Sequence, residues 1–340
     1  MKKLIIFILS LLLPLVTSAA EEQRVLFIGN SYTFYNNLPD VLMALSKKTK
    51  CPLKVESYTA GAMSLHGFLN IPAHAKARRM LESGKYDWVV LQDQSQTPAY
   101  KPEETMNSVP QWAQIAKKAD TKVLLFLTWA HAIDRNGKLQ PNIDMQERTS
   151  ATYCRAALQC GAKVAPVGEA WTAWYFKYPE KTLHLPDRSH PNPMGTYLAA
   201  CVIHGAISGK PLKGIPGTLR LGKQTIINIP DTAATALQKA ANATLKRFTP
   251  RGYLDKLEKK ETALLSIEEA KKQIQSGMHI EALVCLAGKP TYTSAHGESK
   301  TYQFRIRGGA ELCAYCNSAD IIEQISIAAP GKPVEIIDLR

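Results

Sequence analysis

The chain has 340 residues, of which 45% are hydrophobic and 21% charged. These fractions exclude a disordered or fibrous polypeptide, and the length is enough for two packed domains. The net charge of +13 is scattered in pairs such as Lys47-Lys48, Lys117-Lys118 and Lys259-Lys260, with no basic arm or zinc-finger spacing to mark a nucleic-acid binder.

Met1-Lys2-Lys3, the apolar run Leu4 to Val16 and the small residues Thr17 to Ala20 follow the three-part order of a secretory leader. The apolar run is shorter than the ~20 residues of a membrane span. We expect residues 1–20 to be a signal peptide. The rest is expected to be exported to the periplasm or beyond, with no stable membrane span and no nucleic-acid partner.

From Arg24 to about Lys210, short apolar strands alternate with helical segments. Arg24–Ile28 runs into Gly29, Leu53–Ser57 alternates, and Asp87–Leu91, Lys122–Thr128 and Lys163–Pro166 read as buried strands. Helical spacing covers Leu38–Lys48, Glu103–Lys118, Gln146–Cys160 and Met194–Ser208, with a mixed helical stretch up to Ser83. This order predicts an α/β fold, a parallel sheet with helices on both faces. Trp171, Trp174, Tyr175 and Tyr178 stand three or four apart, as on one core-facing side of a helix.

Residues 211–230 are rich in Gly and Pro and read as a connection. Asp231 is a plausible N-cap for a helix reaching Phe248. Residues 249–263 have linker composition, with room for a helical segment. From Leu264 a second unit begins: Ser266-Ile-Glu-Glu269 forms a capping box, two short helices follow (Glu268–Gln275 and His279–Ala287), and three strand-like runs come after (Ser299–Ile306, Glu311–Tyr315, Ile321–Ile327). This predicts a small α+β domain over residues 264–340. Its Ser-Gly-Met and Gly-Lys-Pro motifs, followed by hairpins, resemble the SmpA/OmlA-type small lipoprotein domain, which implies a binding or packing role.

Seven cysteines is an odd number, so at least one thiol has no partner within the chain. Cys154 and Cys160 lie on one predicted helix and cannot bridge. Cys313 and Cys316 are three apart in a strand and fall on opposite faces. No histidine set has metal-ligand spacing, and no phosphate-binding loop occurs, so no metal or cofactor is expected.

Two segments carry chemistry. Gly29-Asn30-Ser31 places a serine at the carboxyl end of the first strand, the edge at which open parallel sheets bind ligands. Asp187-Arg-Ser-His190 precedes Pro191-Asn192-Pro193, where Asn192 can cap the last helix of the α/β region with Pro193 at its first position. A base and the carboxylate that orients it can thus come from one loop. Thr128-Trp129-Ala130-His131 follows the fourth strand, so Trp129 and His131 either line a substrate pocket or pack the loop.

In combination, residues 24–210 resemble the SGNH (GDSL-like) hydrolase superfamily. The resemblance implies a flavodoxin-like three-layer α/β/α sandwich and a catalytic triad of Ser31, His190 and Asp187, with no cofactor. It also implies that Thr59-Ala-Gly61 supplies an oxyanion N–H. In place of the family's Gly-x-Asn-Asp the chain has Leu91-Gln92-Asp-Gln94-Ser95, similar to variants found in carbohydrate acetylesterases of the superfamily. A glutamine amide can donate as asparagine does, which makes Gln92, after it Gln94, and then Gln96 candidates for the third oxyanion donor. The resemblance leads us to expect an exported serine esterase acting on small acyl esters, acetyl first, on carbohydrate. The alternatives are a lipase or thioesterase for longer chains, and a non-catalytic envelope binding protein. The sequence leaves the oligomeric state open.

Overall fold

The computed structural model describes residues 22–135, 137–262, 264–337 and 339, so the expected leader lies outside the described residues. Two compact units divide the chain, Met1–Pro250 and Arg251–Arg340.

In the first unit the strands are β1 (Gln23–Gly29), β2 (Leu53–Thr59), β3 (Trp88–Leu91), β4 (Lys122–Leu127), a hairpin of β5 (Ala132–Arg135) and β6 (Lys138–Pro141), and β7 (Lys163–Pro166). Five of them form one parallel sheet in the order β2-β1-β3-β4-β7. The order reverses direction at β1, so the carboxyl end of β1 opens onto a crevice.

The alternation within β1 shows why the sheet is covered on both sides. Val25 and Phe27 face a core shared with helices Leu38–Ser46, Val167–Lys177, Pro193–Ser208 and Asp231–Arg247. Leu26 and Ile28 face a second core with helices Leu65–Asn70, Ala75–Glu82, Pro102–Lys118 and Ile143–Cys160. The result is the expected three-layer α/β/α sandwich. Trp171, Trp174 and Tyr175 are buried on helix Val167–Lys177, as their spacing predicts.

Two elements differ from expectation. The stretch read as a connection contains the hairpin β8 (Thr218–Leu221) and β9 (Gln224–Asn228), turned at Gly222, whose φ of +58° suits glycine. Asp231 is the first residue of its helix rather than the cap, and its Oδ1 accepts from Gly217 N at 2.7 Å.

In the second unit helix Pro250–Thr262 occupies the stretch read as linker. Its charges are favourably placed, with Asp255 four residues ahead of Lys259. Helix Ile267–Gln273 begins with the predicted Ser266/Glu269 capping box, and helix Ile280–Ala287 follows. Five antiparallel strands then run in sequence order: β10 (Tyr292–His296), β11 (Ser299–Ile306), β12 (Ala310–Cys316), β13 (Ile322–Ala328) and β14 (Glu335–Ile337). The outer two are largely exposed and lack the apolar alternation that reveals the middle three. Cys316 is buried and Cys313 half-buried on β12, and among the described residues no disulfide forms.

Candidate active site

β1 ends at Gly29, and Asn30 caps the short helix Ser31–Phe34 by accepting from Tyr32 N at 3.2 Å. Ser31 is therefore the first helical residue, and its N–H has no helical acceptor. The turn is clamped from β3. Gln92 Oε1 accepts from Asn30 N at 2.8 Å and from Thr33 Oγ1 at 3.0 Å, and Gln92 Nε2 donates to Asn30 Oδ1 at 2.9 Å and to Asp93 O. Gly29 leaves room for this clamp: a Cβ there would lie 2.5 Å from Thr33 Oγ1 and 2.6 Å from Gln92 Oε1.

His190 arrives from a loop between Leu183 and Asn192. Leu185 N donates to His190 O at 2.8 Å, and Asn192 N to Leu183 O at 2.8 Å. Arg188 takes the left-handed φ of +65° that folds Asp187 back over His190. Asp187 Oδ1 accepts from the N–H groups of Ser189 and His190, each at 2.9 Å. Asp187 Oδ2 lies 2.6 Å from His190 Nδ1. Burial opposes the charge on Asp187, but these hydrogen bonds outweigh it and hold the carboxyl below its usual range. An ionised carboxylate only accepts, so Nδ1 of His190 carries the proton and Nε2 presents a lone pair. That Nε2 stands 2.9 Å from Ser31 Oγ. Beyond the loop, Asn192 Oδ1 accepts from Gly195 N at 3.0 Å and Pro193 opens the helix, as the sequence predicts.

Aromatic rings support this loop. Tyr35, one helical turn after Ser31, stacks on His190 with centroids 4.0 Å apart. Tyr32, Trp129 and Trp171 form a ladder with centroid spacings of 4.4 and 4.0 Å. Trp129 is 1% exposed and covered on both faces, so it offers no ring to a substrate. Its Nε1 instead donates to Ser189 O at 2.9 Å, bracing the base loop from below. The pocket expectation for Trp129 is thus corrected, because two flanking aromatic rings make it part of the core.

Gln92 is corrected as well. It is fully buried and both amide protons are engaged within the turn, so none remains for an oxyanion. Gln94 differs. Its Oε1 accepts from Gln96 N at 2.7 Å, Thr97 N at 3.0 Å and Thr97 Oγ1 at 3.3 Å, which leaves Nε2 as its donor, with Ser95 Oγ at 3.4 Å. Gly61 lies in the exposed turn after β2. Parallel pairing aligns Gly29 with Thr59, so Ser31 and Gly61 lie in corresponding positions two residues beyond the two strand ends. Asn30 Nδ2 ties the two turns by donating to Met63 O at 2.9 Å. The buried carboxylate of Asp93 accepts from Leu65 N, Gln94 N and Thr105 Oγ1 and so joins the β2 and β3 turns.

Sequence reasoning missed Tyr35, Asp93, Ser95 and Ser189. Tyr35 had a signal, since it stands four residues after Ser31. Ser95 and Ser189 come together across the sheet edge at His131, whose Nε2 lies 3.2 Å from Ser95 Oγ and 3.3 Å from Ser189 Oγ. Among the described residues no group of three His, Cys, Asp or Glu side chains could hold a metal, and no helix is long and apolar enough to cross a membrane.

Solved structures share this architecture. A DUF4886 family protein from Bacteroides uniformis aligns at 18% identity over 67% of this chain and 96% of its own, with a TM-score of 0.55. A protein assigned to the SGNH hydrolases from Slackia heliotrinireducens aligns at 28% identity over 55% of this chain and 100% of its own, with a TM-score of 0.47. An acetyl xylan esterase aligns at 15% identity over 54% of this chain and 99% of its own, with a TM-score of 0.44. The chain shares its three-layer α/β/α fold with the DUF4886 family protein. No family model and no curated protein sequence matches it.

Proposed function

We propose that this protein is an exported serine ester hydrolase that removes short acyl groups, acetyl foremost, from hydroxyl-rich alcohols such as carbohydrate. The observation that carries the reading is the unbroken chain Ser31 Oγ–His190–Asp187, with contacts of 2.9 and 2.6 Å, at the carboxyl edge of β1. Export rests on the leader-like order of residues 1–20.

In the acylation half-reaction His190 Nε2 takes the Ser31 hydroxyl proton as Oγ attacks the ester carbonyl. The negative charge that forms on the carbonyl oxygen meets the N–H groups of Ser31 and Gly61 and the amide of Gln94. Each such donor contributes ~10²–10³ in kcat. As the tetrahedral adduct collapses, the carbon–oxygen bond to the alcohol breaks and His190 returns the proton to the leaving oxygen. Water then repeats the sequence on the acyl-serine, releasing the acid and restoring Ser31. Asp187 keeps the proton on Nδ1 throughout and stabilises the transient imidazolium.

The polar surroundings of Ser31 favour a hydroxylated leaving group over a hydrocarbon chain. Gln94, Ser95, His131, Ser189 and the Tyr32 hydroxyl are joined beside it by hydrogen bonds. The test is Ser31→Ala assayed on p-nitrophenyl acetate, with a fall in kcat of about 10³-fold or more expected. Undiminished turnover contradicts the esterase reading. A series of p-nitrophenyl esters checks the acyl preference, and a rate that rises with chain length would favour a lipase or thioesterase instead.

A further inference from the structure

The half-buried ring of His131 bridges two loops that the proposed chemistry uses separately. Its Nε2 lies 3.2 Å from Ser95 Oγ and 3.3 Å from Ser189 Oγ. Ser189 immediately precedes His190 and shares a 2.9 Å hydrogen bond with Tyr32 OH. Ser95 immediately follows Gln94 and takes the Gln94 Nε2 contact at 3.4 Å.

Donor and acceptor chemistry gives this path a direction. The Gln94 Nε2 group can only donate, so Ser95 Oγ accepts from it and has its own proton left to give. If Tyr32 OH donates to Ser189 Oγ, Ser189 likewise passes its proton onward. Both hydroxyls then point to a single acceptor, the lone pair of His131 Nε2. Burial, and after it the neighbouring His190, lower the His131 imidazole below its usual range, which keeps that lone pair free. The backbone holds the ring in place, with His131 N donating to Met145 Sδ at 3.4 Å and Asn142 N to His131 O at 2.9 Å.

We propose that His131 is a positioning residue that locks the base-bearing loop at Ser189 to the oxyanion loop at Ser95, fixing His190 and Gln94 relative to one another. This rests on the esterase reading and on Gln94 as the third oxyanion donor. Both ends of the tie act on groups whose interactions strengthen in the transition state, so its loss falls on kcat and leaves KM nearly unchanged.

The experiment compares the full-length wild type with His131→Leu and His131→Gln on p-nitrophenyl acetate. The glutamine oxygen reaches the place of Nε2 and can accept from both serines. Removing two hydrogen bonds with His131→Leu is expected to lower kcat on the order of 10–100-fold, with KM within about twofold, and His131→Gln to restore most of kcat. Ser189→Ala and Ser95→Ala, each removing one of the two bonds to His131, give smaller losses in the tie, and each is non-additive with His131→Leu. An unchanged kcat in His131→Leu, a loss confined to KM, or strict additivity overturns the proposal. The tie is also read without substrate: in ¹⁵N spectra of the imidazoles, His131→Leu shifts the His190 resonances and His131→Gln returns them. Unmoved His190 resonances overturn the tie, whereas an absence of ester turnover in the wild type contradicts the esterase reading.

Discussion

The Tyr35 ring lies parallel to the His190 imidazole, with centroids 4.0 Å apart and planes 14° from parallel. Tyr35 follows Ser31 by four residues, so the segment that presents Ser31 also supplies the surface against which His190 rests. Tyr32, from the same turn, meets His190 edge-on at 5.9 Å.

This stacking gives a first prediction. An aromatic pair contributes about 0.5–1.5 kcal/mol beyond burial. Tyr35→Ala should therefore lower kcat by about 3- to 10-fold through a less ordered base, while Tyr35→Phe keeps the ring and stays near wild type. Steady-state kinetics on p-nitrophenyl acetate check both variants.

The two glutamines after β3 should separate cleanly. Gln92 is buried and satisfies Asn30 and Thr33, so Gln92→Ala leaves buried polar groups without partners. Its expected cost is about 1–3 kcal/mol of stability, with activity lost alongside. Gln94→Ala removes the Nε2 donor and should lower kcat by ~10²–10³, with a smaller stability cost than Gln92→Ala from the lost acceptor of Gln96 N and Thr97 N. Urea unfolding and kinetics on both variants decide. The reverse pattern would move the oxyanion role back to Gln92.

His184 predicts a pH dependence of stability. It is 2% exposed, its Nδ1 accepts from Tyr175 OH at 2.6 Å, and its Nε2 donates to Ala130 O at 3.0 Å. Burial pushes its pKa from 6.5 down to about 4. The unfolded chain therefore binds a proton at a higher pH than the folded one does. The contribution is complete above pH 6.5 and fades as the pH falls toward 4, a loss on the order of 3 kcal/mol. His131 and His204, also lowered by burial, add to the same slope. Denaturant unfolding between pH 7 and 4.5 should show the fall. His184→Gln should be less stable at pH 7 and depend less steeply on pH.

Much of this arrangement was legible in the sequence, because its signals are local. The apolar runs of β1, β3 and β4, the Asn192-Pro193 helix start and the Ser266/Glu269 capping box each declare themselves within a few residues. Ser31, Asp187 and His190 were singled out because each lies beside the end of such an element and because together they resemble the SGNH pattern. The roles of the residues between them were not. Gln92 and Gln94 are two apart with the same side chain, and only the full burial of one and the partial exposure of the other distinguish them. For Trp129 the sequence left pocket lining and packing open, and Tyr32 and Trp171, far apart in the sequence, decide for packing by closing over its faces. The hairpin β8–β9 and the outer strands β10 and β14 escaped notice because glycine, proline and exposed positions erase the alternation that marks a half-buried strand.

The central claim is that Ser31 is a nucleophile activated by His190. Its most direct test is incubation of the purified protein with a fluorophosphonate probe, followed by mass spectrometry of the peptide that contains residue 31. One covalent adduct is expected on Ser31 in the wild type, absent from Ser31→Ala and strongly slowed in His190→Ala. A probe adduct that persists undiminished in Ser31→Ala, or ester hydrolysis by wild-type protein that never labels at Ser31, would contradict it.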